Sequence, residues 1–192
     1  MTASRPFGMG RGRIYPASAA THLLNPLRRL VQPPSRVIRR MNLASDCRVL
    51  EIGCGPGWFS PLLAATVPHG RLTVCDLQQE MLDLASLRLA SFTNVEFARA
   101  DACSLPFDDS GFDAILVSSV LGELTDPIEC LHECARLLSP RGLLTVVETR
   151  RDSDFIPRRD LHRMATTVGL ESAATYGPAW EHTTNFRRAR TR

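Results

Sequence analysis

Lysine is missing from this 192-residue sequence, and all 23 of its basic residues are arginine. Also missing is any run of about 20 apolar residues, the length that a helix needs to cross a bilayer. The first residues contain arginines but no apolar segment of the kind found in a secretory signal. We therefore expect no membrane span and a cytoplasmic location. The exclusive use of arginine is typical of GC-rich coding sequences and does not indicate a function.

The six cysteines form no C-x-x-C pair. Cys130 and Cys134 lie one helical turn apart, but no second pair of ligands accompanies them. We therefore expect no metal site and interpret the cysteines as buried, reduced thiols that pack as small apolar side chains.

Charge is unevenly distributed along the chain. Residues 1–44 hold eight arginines and no acid, residues 45–150 hold seven arginines and fifteen acids, and residues 151–192 hold eight arginines and five acids. The basic ends could bind an anionic partner such as nucleic acid. The alternative, which we favour slightly, is that the basic N-terminal segment docks on the acidic central part. The sequence does not indicate an oligomeric state.

Apolar periodicity alternates between strand and helix through most of the chain. Strands are predicted at 48–53, 71–77, 95–100, 112–119 and 143–149, with helices at 58–66, around 81–89 and at 126–138. A helix at 158–168 and two strands, 170–176 and about 180–187, follow. This order predicts an α/β fold, a Rossmann-like, doubly wound and mostly parallel sheet of seven strands that ends in an antiparallel hairpin.

Two helices are predicted before the first strand. Apolar residues repeat at helical spacing from Leu23 to Val31, where Pro33-Pro34 ends the run, and a short helix is predicted at about 35–42. Since neither helix has a place in the sheet, we expect residues 1–44 to be a basic segment whose two helices cover the functional site. Residues 45–192 then form the domain that contains the sheet.

The stretch 48–60, RVLEIGCGPGWFS, predicts a buried strand, a glycine turn and the start of a helix. Such a turn is where α/β sheets bind nucleotide-like ligands, because glycine lets the backbone approach the ligand closely. The spacing is G-x-G-x-G, whereas the dinucleotide fingerprint G-x-G-x-x-G needs a glycine where Trp58 stands. A nicotinamide oxidoreductase is therefore a poor fit. Glu51 precedes the turn, where it could hold the loop or contact an ammonium group of the ligand through water.

Three further acidic or polar positions follow predicted strands. Asp76 ends the second strand, 23 residues after Gly53, where a carboxylate can accept hydrogen bonds from ribose hydroxyls. Asp101, just past the third strand, could accept a hydrogen bond from an adenine amino group. Ser118 and Ser119 end the fourth strand, at the edge where such sheets bind ligands. Taken singly, each could also be an ordinary turn or cap residue.

Together these features resemble the class I S-adenosylmethionine-dependent methyltransferases over about residues 45–150. DLQQEML, LPFDDSGFDAI and LLSPRGLLTVVE are similar to segments of the small-molecule subgroup, methyltransferase type 11, that includes the ubiquinone- and menaquinone-biosynthesis enzymes. The N/D-P-P-Y signature of amino- and adenine-N-methyltransferases is absent after the fourth strand, which argues against DNA methylation. The resemblance implies S-adenosylmethionine as cofactor. Its binding residues are then Glu51, Gly53, Cys54, Gly55, Gly57, Asp76, Leu77, Asp101, Ala102 and Ser118.

No catalytic residue follows from the sequence, because methyl transfer from a sulfonium needs mainly alignment and the exclusion of water. If the acceptor must lose a proton, Glu123 is our candidate from its position alone, although a structural role as a cap or ion-pair partner of the helix at 126 is favoured. His22 and His182 are further options. Tyr15 and Trp58 could line an acceptor pocket.

The sequence thus predicts a methyltransferase that acts on a small, partly apolar acceptor. Two alternatives stay open. One is an RNA or protein methyltransferase that uses the basic ends, and the other is a non-catalytic module that binds S-adenosylmethionine.

Overall fold

The computed structural model describes residues 15–25, 33–150, 152 and 154–189. Seven strands form one sheet: β1 (Arg48–Ile52), β2 (Arg71–Asp76), β3 (Val95–Arg99), β4 (Phe112–Ser118), β5 (Leu138–Thr149), β6 (Leu170–Tyr176) and β7 (Glu181–Arg188). Their order is β3-β2-β1-β4-β5-β7-β6, and β7 runs antiparallel to both of its neighbours. The prediction of a mostly parallel, seven-stranded sheet with a C-terminal antiparallel hairpin is confirmed.

Helices cover both faces of the sheet. They are α1 (Ala20–Leu23), which a short 3₁₀ turn at Ala17–Ala19 precedes, then α2 (Pro34–Met41), α3 (Ser60–Thr66), α4 (Gln79–Leu89), α5 (Pro127–Leu137) and α6 (Arg158–Thr167). One apolar core lies between the sheet and α2, α3 and α4, around Leu63 and Val49. The other lies between the sheet and α5 and α6, around Leu131 and Ile52. Two cores on opposite faces are what a doubly wound sheet requires.

Three predicted boundaries were wrong. β5 begins at Leu138 instead of 143. Residues 139–142 belong to the strand, although its pairing with β4 is irregular there. The helix after the glycine turn begins at Ser60 instead of Trp58. The N-terminal helix that the structure describes ends at Leu23, the residue at which the predicted helix begins. Most of the predicted helix falls on residues 26–32, which lie outside the described residues.

The second N-terminal helix, α2, is anchored to the hairpin. Its apolar residues are buried against the sheet. Arg40 donates a hydrogen bond to Thr183 Oγ1 (2.9 Å), and its guanidinium lies 4.8 Å from the centroid of the Tyr176 ring. The Asn185 amide donates to the Arg40 carbonyl (2.8 Å). These contacts join α2 to the β6–β7 hairpin.

The six cysteines are free thiols, and four of them, Cys54, Cys75, Cys130 and Cys134, are buried. Among the described residues, no group of three or more histidine, cysteine or acidic side chains is arranged to hold a metal ion. A search of the same residues finds no helix that is both long enough and apolar enough to span a membrane.

Candidate cofactor and acceptor site

A cavity of about 510 Å³ lies at the carboxyl ends of the parallel strands. Its walls come from the turns after β1, β2 and β3, the loops after β4 and β5, the first residue of β7 and part of the segment 15–25. The carboxyl ends of parallel strands meet at one edge of a sheet, so chain segments far apart in sequence converge here. Nine of the ten predicted cofactor residues line this cavity; the exception, Gly57, packs beside Ala85 of α4.

The glycine turn after β1 is held in a conformation that side chains disfavour. Gly53, Gly55 and Gly57 have φ angles of 65°, 52° and 81°. At Gly53 a Cβ atom would also overlap the side chain of Val120 from the loop after β4. Glycine at 53 is thus required by its φ angle and by the close approach of a second cavity wall.

Glu51 lies buried beneath this turn. Its Oε2 accepts a hydrogen bond of 2.6 Å from the hydroxyl of Ser60, the first residue of α3. Burial raises the pKa of Glu51 to about 8, although the Ser60 hydrogen bond opposes the shift. The bond joins the end of β1 to the start of α3, which is the loop-holding role that the sequence suggested.

Asp76 is tied to two turns at once. Its Oδ2 accepts from the Gly55 N–H (2.8 Å) and its Oδ1 from the Gln78 N–H (3.0 Å). Burial raises the pKa of this carboxyl, and these backbone hydrogen bonds oppose the shift. A carboxylate has about four lone-pair sites, so both oxygens can still accept from ribose hydroxyls. Beside it, Leu77 lines the cavity with 42 % of its surface exposed.

Asp101 and Ala102 form the wall after β3. Asp101 Oδ1 accepts from the Cys103 N–H (2.9 Å), which closes a tight turn, while Ala102 contributes an apolar surface. Ser118 ends β4 on the far side of the glycine turn, and the Oγ atoms of Ser118 and Ser119 are buried with no hydrogen-bond partner in the described part of the protein.

The sequence of this region identifies its family. Residues 50–146, just over half of the chain, match the family described as "Methyltransferase domain", of the type 11 group. The chain belongs to this family. The class I methyltransferase assignment made from the glycine turn and its companions is confirmed, and S-adenosylmethionine is the family's cofactor.

Known proteins agree with this assignment. Demethylmenaquinone methyltransferase of Staphylococcus aureus (strain JH9) is 33% identical over 115 residues, which are 59% of this chain and 48% of that protein. The chain thus spans about half the length of the curated relatives it matches.

Two solved structures share the fold. A methyltransferase from Aquifex aeolicus, described as SAM-dependent, has a TM-score of 0.82 at 20% identity and covers 90% of this chain and 98% of its own. The trans-methyltransferase CalH, solved with S-adenosylhomocysteine (SAH), has a TM-score of 0.68 at 20% identity and covers 81% and 54%.

The remaining cavity wall is acidic. Glu123, in the loop after β4, accepts a hydrogen bond of 3.4 Å from the Tyr15 N–H. Burial and, to a smaller extent, the nearby carboxylates of Asp154, Asp152 and Asp76 together raise its pKa to about 7, although the Tyr15 hydrogen bond opposes the shift. Glu123 does not cap the next helix.

The cap of α5 is Asp126. Its side chain accepts from the N–H groups of Ile128 (3.0 Å) and Glu129 (3.1 Å), which leaves Glu123 free to face the cavity.

The structure separates the other residues considered for catalysis or acceptor binding. Tyr15, His22 and Trp58 line the cavity. His182 does not, because it is buried in the β5–β7 pair, where it bonds to Thr184 and to the Ile156 carbonyl. The prediction that His182 could act as a base at the site was therefore wrong.

Sequence reasoning missed several acidic residues of the cavity wall. Asp152 and Asp154 follow β5, so the rule that selected Ser118 after β4 would have selected them too. Glu181 opens β7, whose antiparallel direction brings its first residue to the same edge. That placement required knowing the sheet order.

Proposed function

We propose that this protein transfers the methyl group of S-adenosylmethionine to a small, partly apolar acceptor by in-line displacement. The observation that carries the proposal is one continuous cavity, which joins nine of the ten predicted cofactor residues to a second wall around Tyr15 and Glu123. A methyl donor bound at one end of the cavity would be adjacent to an acceptor bound at the other end. Apolar side chains that include Leu23 and Leu124 also line it, which favours an acceptor with an apolar part.

The residues present fit the cofactor. Gly55 lines the cavity, and the place where its Cβ atom would stand lies 3.7 Å from Leu23 Cδ1, so the backbone of this turn can approach a ligand closely. In the proposed assignment Asp76 accepts hydrogen bonds from the ribose hydroxyls and Asp101 from the adenine amino group, while Leu77 and Ala102 flank the base. Bound S-adenosylmethionine supplies a methyl group on a sulfonium sulfur that departs as a neutral thioether.

The protein's own contribution is chiefly positioning. Holding two reactants in line can lower a barrier by about 7–11 kcal/mol without an acid or a base. Where the acceptor has a proton to lose, Glu123 is placed to accept it at a carboxylate oxygen. A carboxyl whose pKa is raised to about 7 is a stronger base than an ordinary glutamate and is still largely ionised slightly above neutral pH.

The N-terminal segment is proposed to close the acceptor end. The Tyr15 N–H donates to Glu123, and the Tyr15 carbonyl accepts from the Gln78 side chain (2.7 Å). The backbone of this residue therefore links the turn after β2 to the loop after β4 across the cavity mouth. This contact supports the expectation that residues 1–44 cover the site.

The polyanion alternative is disfavoured by charge. Glu123, Asp152 and Asp154 all face the acceptor end, and carboxylates repel a phosphate backbone. An RNA acceptor would give binding that weakens steeply with salt.

Two measurements test the proposal. Isothermal titration with SAH tests the cofactor end. Production of SAH from S-adenosylmethionine, measured over a panel of phenols, quinols, amines and an unstructured RNA, tests the acceptor end. We expect SAH binding and turnover with at least one small amphipathic acceptor.

A chain that lacks residues 1–25 is the matched variant for this panel. We expect it to keep most of its SAH affinity and to lose turnover. Binding of SAH with no turnover on any acceptor would favour a non-catalytic module, and turnover on RNA alone would contradict the small-molecule proposal.

A further inference from the structure

Glu148 and His182 stand directly opposite each other in the β5–β7 pair. Both are polar, and each is only 1 % exposed. Neither lines the cavity. Their side chains both reach one residue, Ile156, in the segment between β5 and α6.

The two side chains bind the backbone of Ile156 at both of its polar groups. Glu148 Oε2 accepts from the Ile156 N–H at 3.2 Å, and His182 Nε2 lies 3.1 Å from the Ile156 carbonyl oxygen. A carbonyl oxygen only accepts, so Nε2 must carry the proton. Nδ1 of the neutral ring then accepts from the Thr184 hydroxyl at 3.2 Å. The ring of Phe155 packs edge-on against the histidine, with centroids 5.7 Å apart.

This pair holds the far end of the segment that carries two acidic residues of the cavity wall. Asp152 and Asp154 lie between Thr149, the last residue of β5, and Ile156, and both line the cavity. The carbonyl of Asp154 packs so closely on Gly122 that a Cβ atom there would overlap it. Gly122 precedes Glu123 in sequence. A shift of Ile156 therefore moves Asp154 along the chain, and Asp154 in turn contacts Gly122 beside Glu123.

We propose that Glu148 and His182 are positioning residues that clamp Ile156 and thereby set the distance of Asp152 and Asp154 from Glu123 at the acceptor end. The proposal deepens the proposed function and rests on it for the name of that end, because the clamp itself touches neither cofactor nor acceptor.

Stability alone does not account for a glutamate at 148. Its Oε1 is buried and has no hydrogen-bond partner within the described residues. A buried polar group that lacks a partner destabilises a fold, whereas an apolar residue of similar size would not. Among the described residues, the one side-chain hydrogen bond of Glu148 goes to the Ile156 N–H, which indicates that placement of this segment is what the side chain provides.

The clamp has a measurable consequence at Glu123. The groups that face Glu123 are Tyr15 from the N-terminal segment, Asp152 and Asp154 from the clamped segment, and Asp76 from β2. Glu148 itself interacts with Glu123 more weakly. Releasing Ile156 lets water in and lets the two aspartates move away, so the pKa of Glu123 should fall toward the ordinary value of a glutamate.

Carbon-detected NMR titration of glutamate side chains in the full-length protein tests this, with Glu123 assigned by its absence in Glu123→Gln. His182→Phe keeps an aromatic ring against Phe155 but removes the donor, and we expect the pKa of Glu123 to fall by about one unit. His182→Gln, which keeps a donor, should restore the wild-type value. Hydrogen exchange of the peptide that contains Ile156 should rise in the first variant and not in the second.

Thr145→Val is the matched control. It removes a buried hydrogen bond of 3.0 Å to Asn185 between the same two strands without touching Ile156. We expect a lower Tm with no change in the titration of Glu123. A merely structural role for His182 predicts that His182→Phe behaves like this control, and that result would overturn the proposal.

A second pair of variants covers the case in which His182→Phe does not fold. Glu148→Gln cannot ionise but keeps an oxygen for the Ile156 N–H, whereas Glu148→Met has neither an ionisable group nor an acceptor. The clamp predicts a lower Glu123 pKa and faster exchange at Ile156 in Glu148→Met than in Glu148→Gln, and equal values contradict it. The titration needs neither cofactor nor acceptor, so failure of the clamp and failure of the methyltransferase proposal give separate signals.

Discussion

The two ends of the cavity are built differently. At the cofactor end, Asp76 accepts from two backbone N–H groups and Glu51 from a serine hydroxyl, at 2.6–3.0 Å. At the acceptor end, Glu123 accepts one longer bond of 3.4 Å from Tyr15, more than 100 positions away in sequence. Local hydrogen bonds thus fix the cofactor end, while contacts between distant segments fix the acceptor end.

This difference explains how a common cofactor site can coexist with a variable acceptor site. The cofactor end lies on strand ends and tight turns, whose geometry follows from a few local residues. The acceptor end uses loops and the N-terminal segment, which can change without disturbing the sheet. The predictions that follow compare substitutions aimed at the two ends of the cavity.

The largest expected effect is at Gly53. Gly53→Ala forces a side chain into a positive φ, at a cost of about 1–2 kcal/mol, and drives its Cβ into Val120, at about 1–3 kcal/mol more. The free protein relieves this strain by moving the glycine turn away from Val120, and SAH binding must restore the turn. Affinity for SAH, measured by isothermal titration, should therefore fall about 100-fold or more, since 1.4 kcal/mol is a factor of ten.

Gly169→Ala is the control for this change. Gly169 has a φ of 75°, no atom lies within 4 Å of its would-be Cβ, and it follows α6, away from the cavity. It incurs the backbone strain alone, so Tm should fall while SAH affinity stays at the wild-type value. Equal losses of affinity in both variants would show that the overlap with Val120 is unimportant.

A smaller effect is expected at Asp76. Asp76→Ala removes a charged acceptor for the ribose, and hydrogen bonds to charged groups contribute about 1.5–3 kcal/mol, or roughly 10- to 150-fold in SAH affinity. Asp113→Ala is matched to it, because Asp113 pairs with Arg48 (3.0 Å) at the opposite edge of the sheet and should leave affinity unchanged. Equal affinities of Asp76→Ala and wild type would remove Asp76 from the site.

Local patterns were enough to select residues that line one end of the cavity, nine of the ten proposed for the cofactor. Each strand end, and the cap of α5 at Asp126 with Pro127 behind it, follows from periodicity and residue type within about a dozen positions. The acceptor end could not be derived in this way. Its parts meet only after the sheet has formed, and nothing near Tyr15 in sequence indicates that its N–H will face Glu123.

The β5 boundary and His182 show the same limit. Ser139-Pro140-Arg141-Gly142 has the composition of a turn. The strand nevertheless continues through it, and it pairs with β4 on both sides, at Leu138 and at Leu143. His182 has the residue type of a catalytic base, but its direction is set by the antiparallel register with β5, which turns it toward Ile156. Tertiary pairing overrides local preference at both places.

The dependence of stability on pH also distinguishes the two ends. The folded-state pKa is about 8 for Glu51 and about 7 for Glu123, and both lie above the ordinary value of 4.5. Between the unfolded and folded pKa values the native state binds the extra proton, so each group's stabilisation is complete below about 4.5 and is lost as pH rises through its folded pKa. The free energy of unfolding then falls by up to about 1.4 kcal/mol per pH unit for each group.

Glu51→Gln should therefore flatten the fall in stability up to about pH 8, and Glu123→Gln only up to about pH 7. Urea unfolding at half-unit steps from pH 5 to 9 measures both slopes, with Glu96→Gln, at an exposed position on β3, as the control. Between pH 7 and 8 only Glu51→Gln should change the slope of the unfolding free energy against pH relative to wild type. The reason is that Glu51, at the cofactor end, keeps its proton to a higher pH than Glu123, at the acceptor end. Identical pH dependence in the two variants would mean that Glu51 and Glu123 are equally shielded from water. The contrast between a fixed and an adaptable half of the cavity would then not extend to their electrostatics.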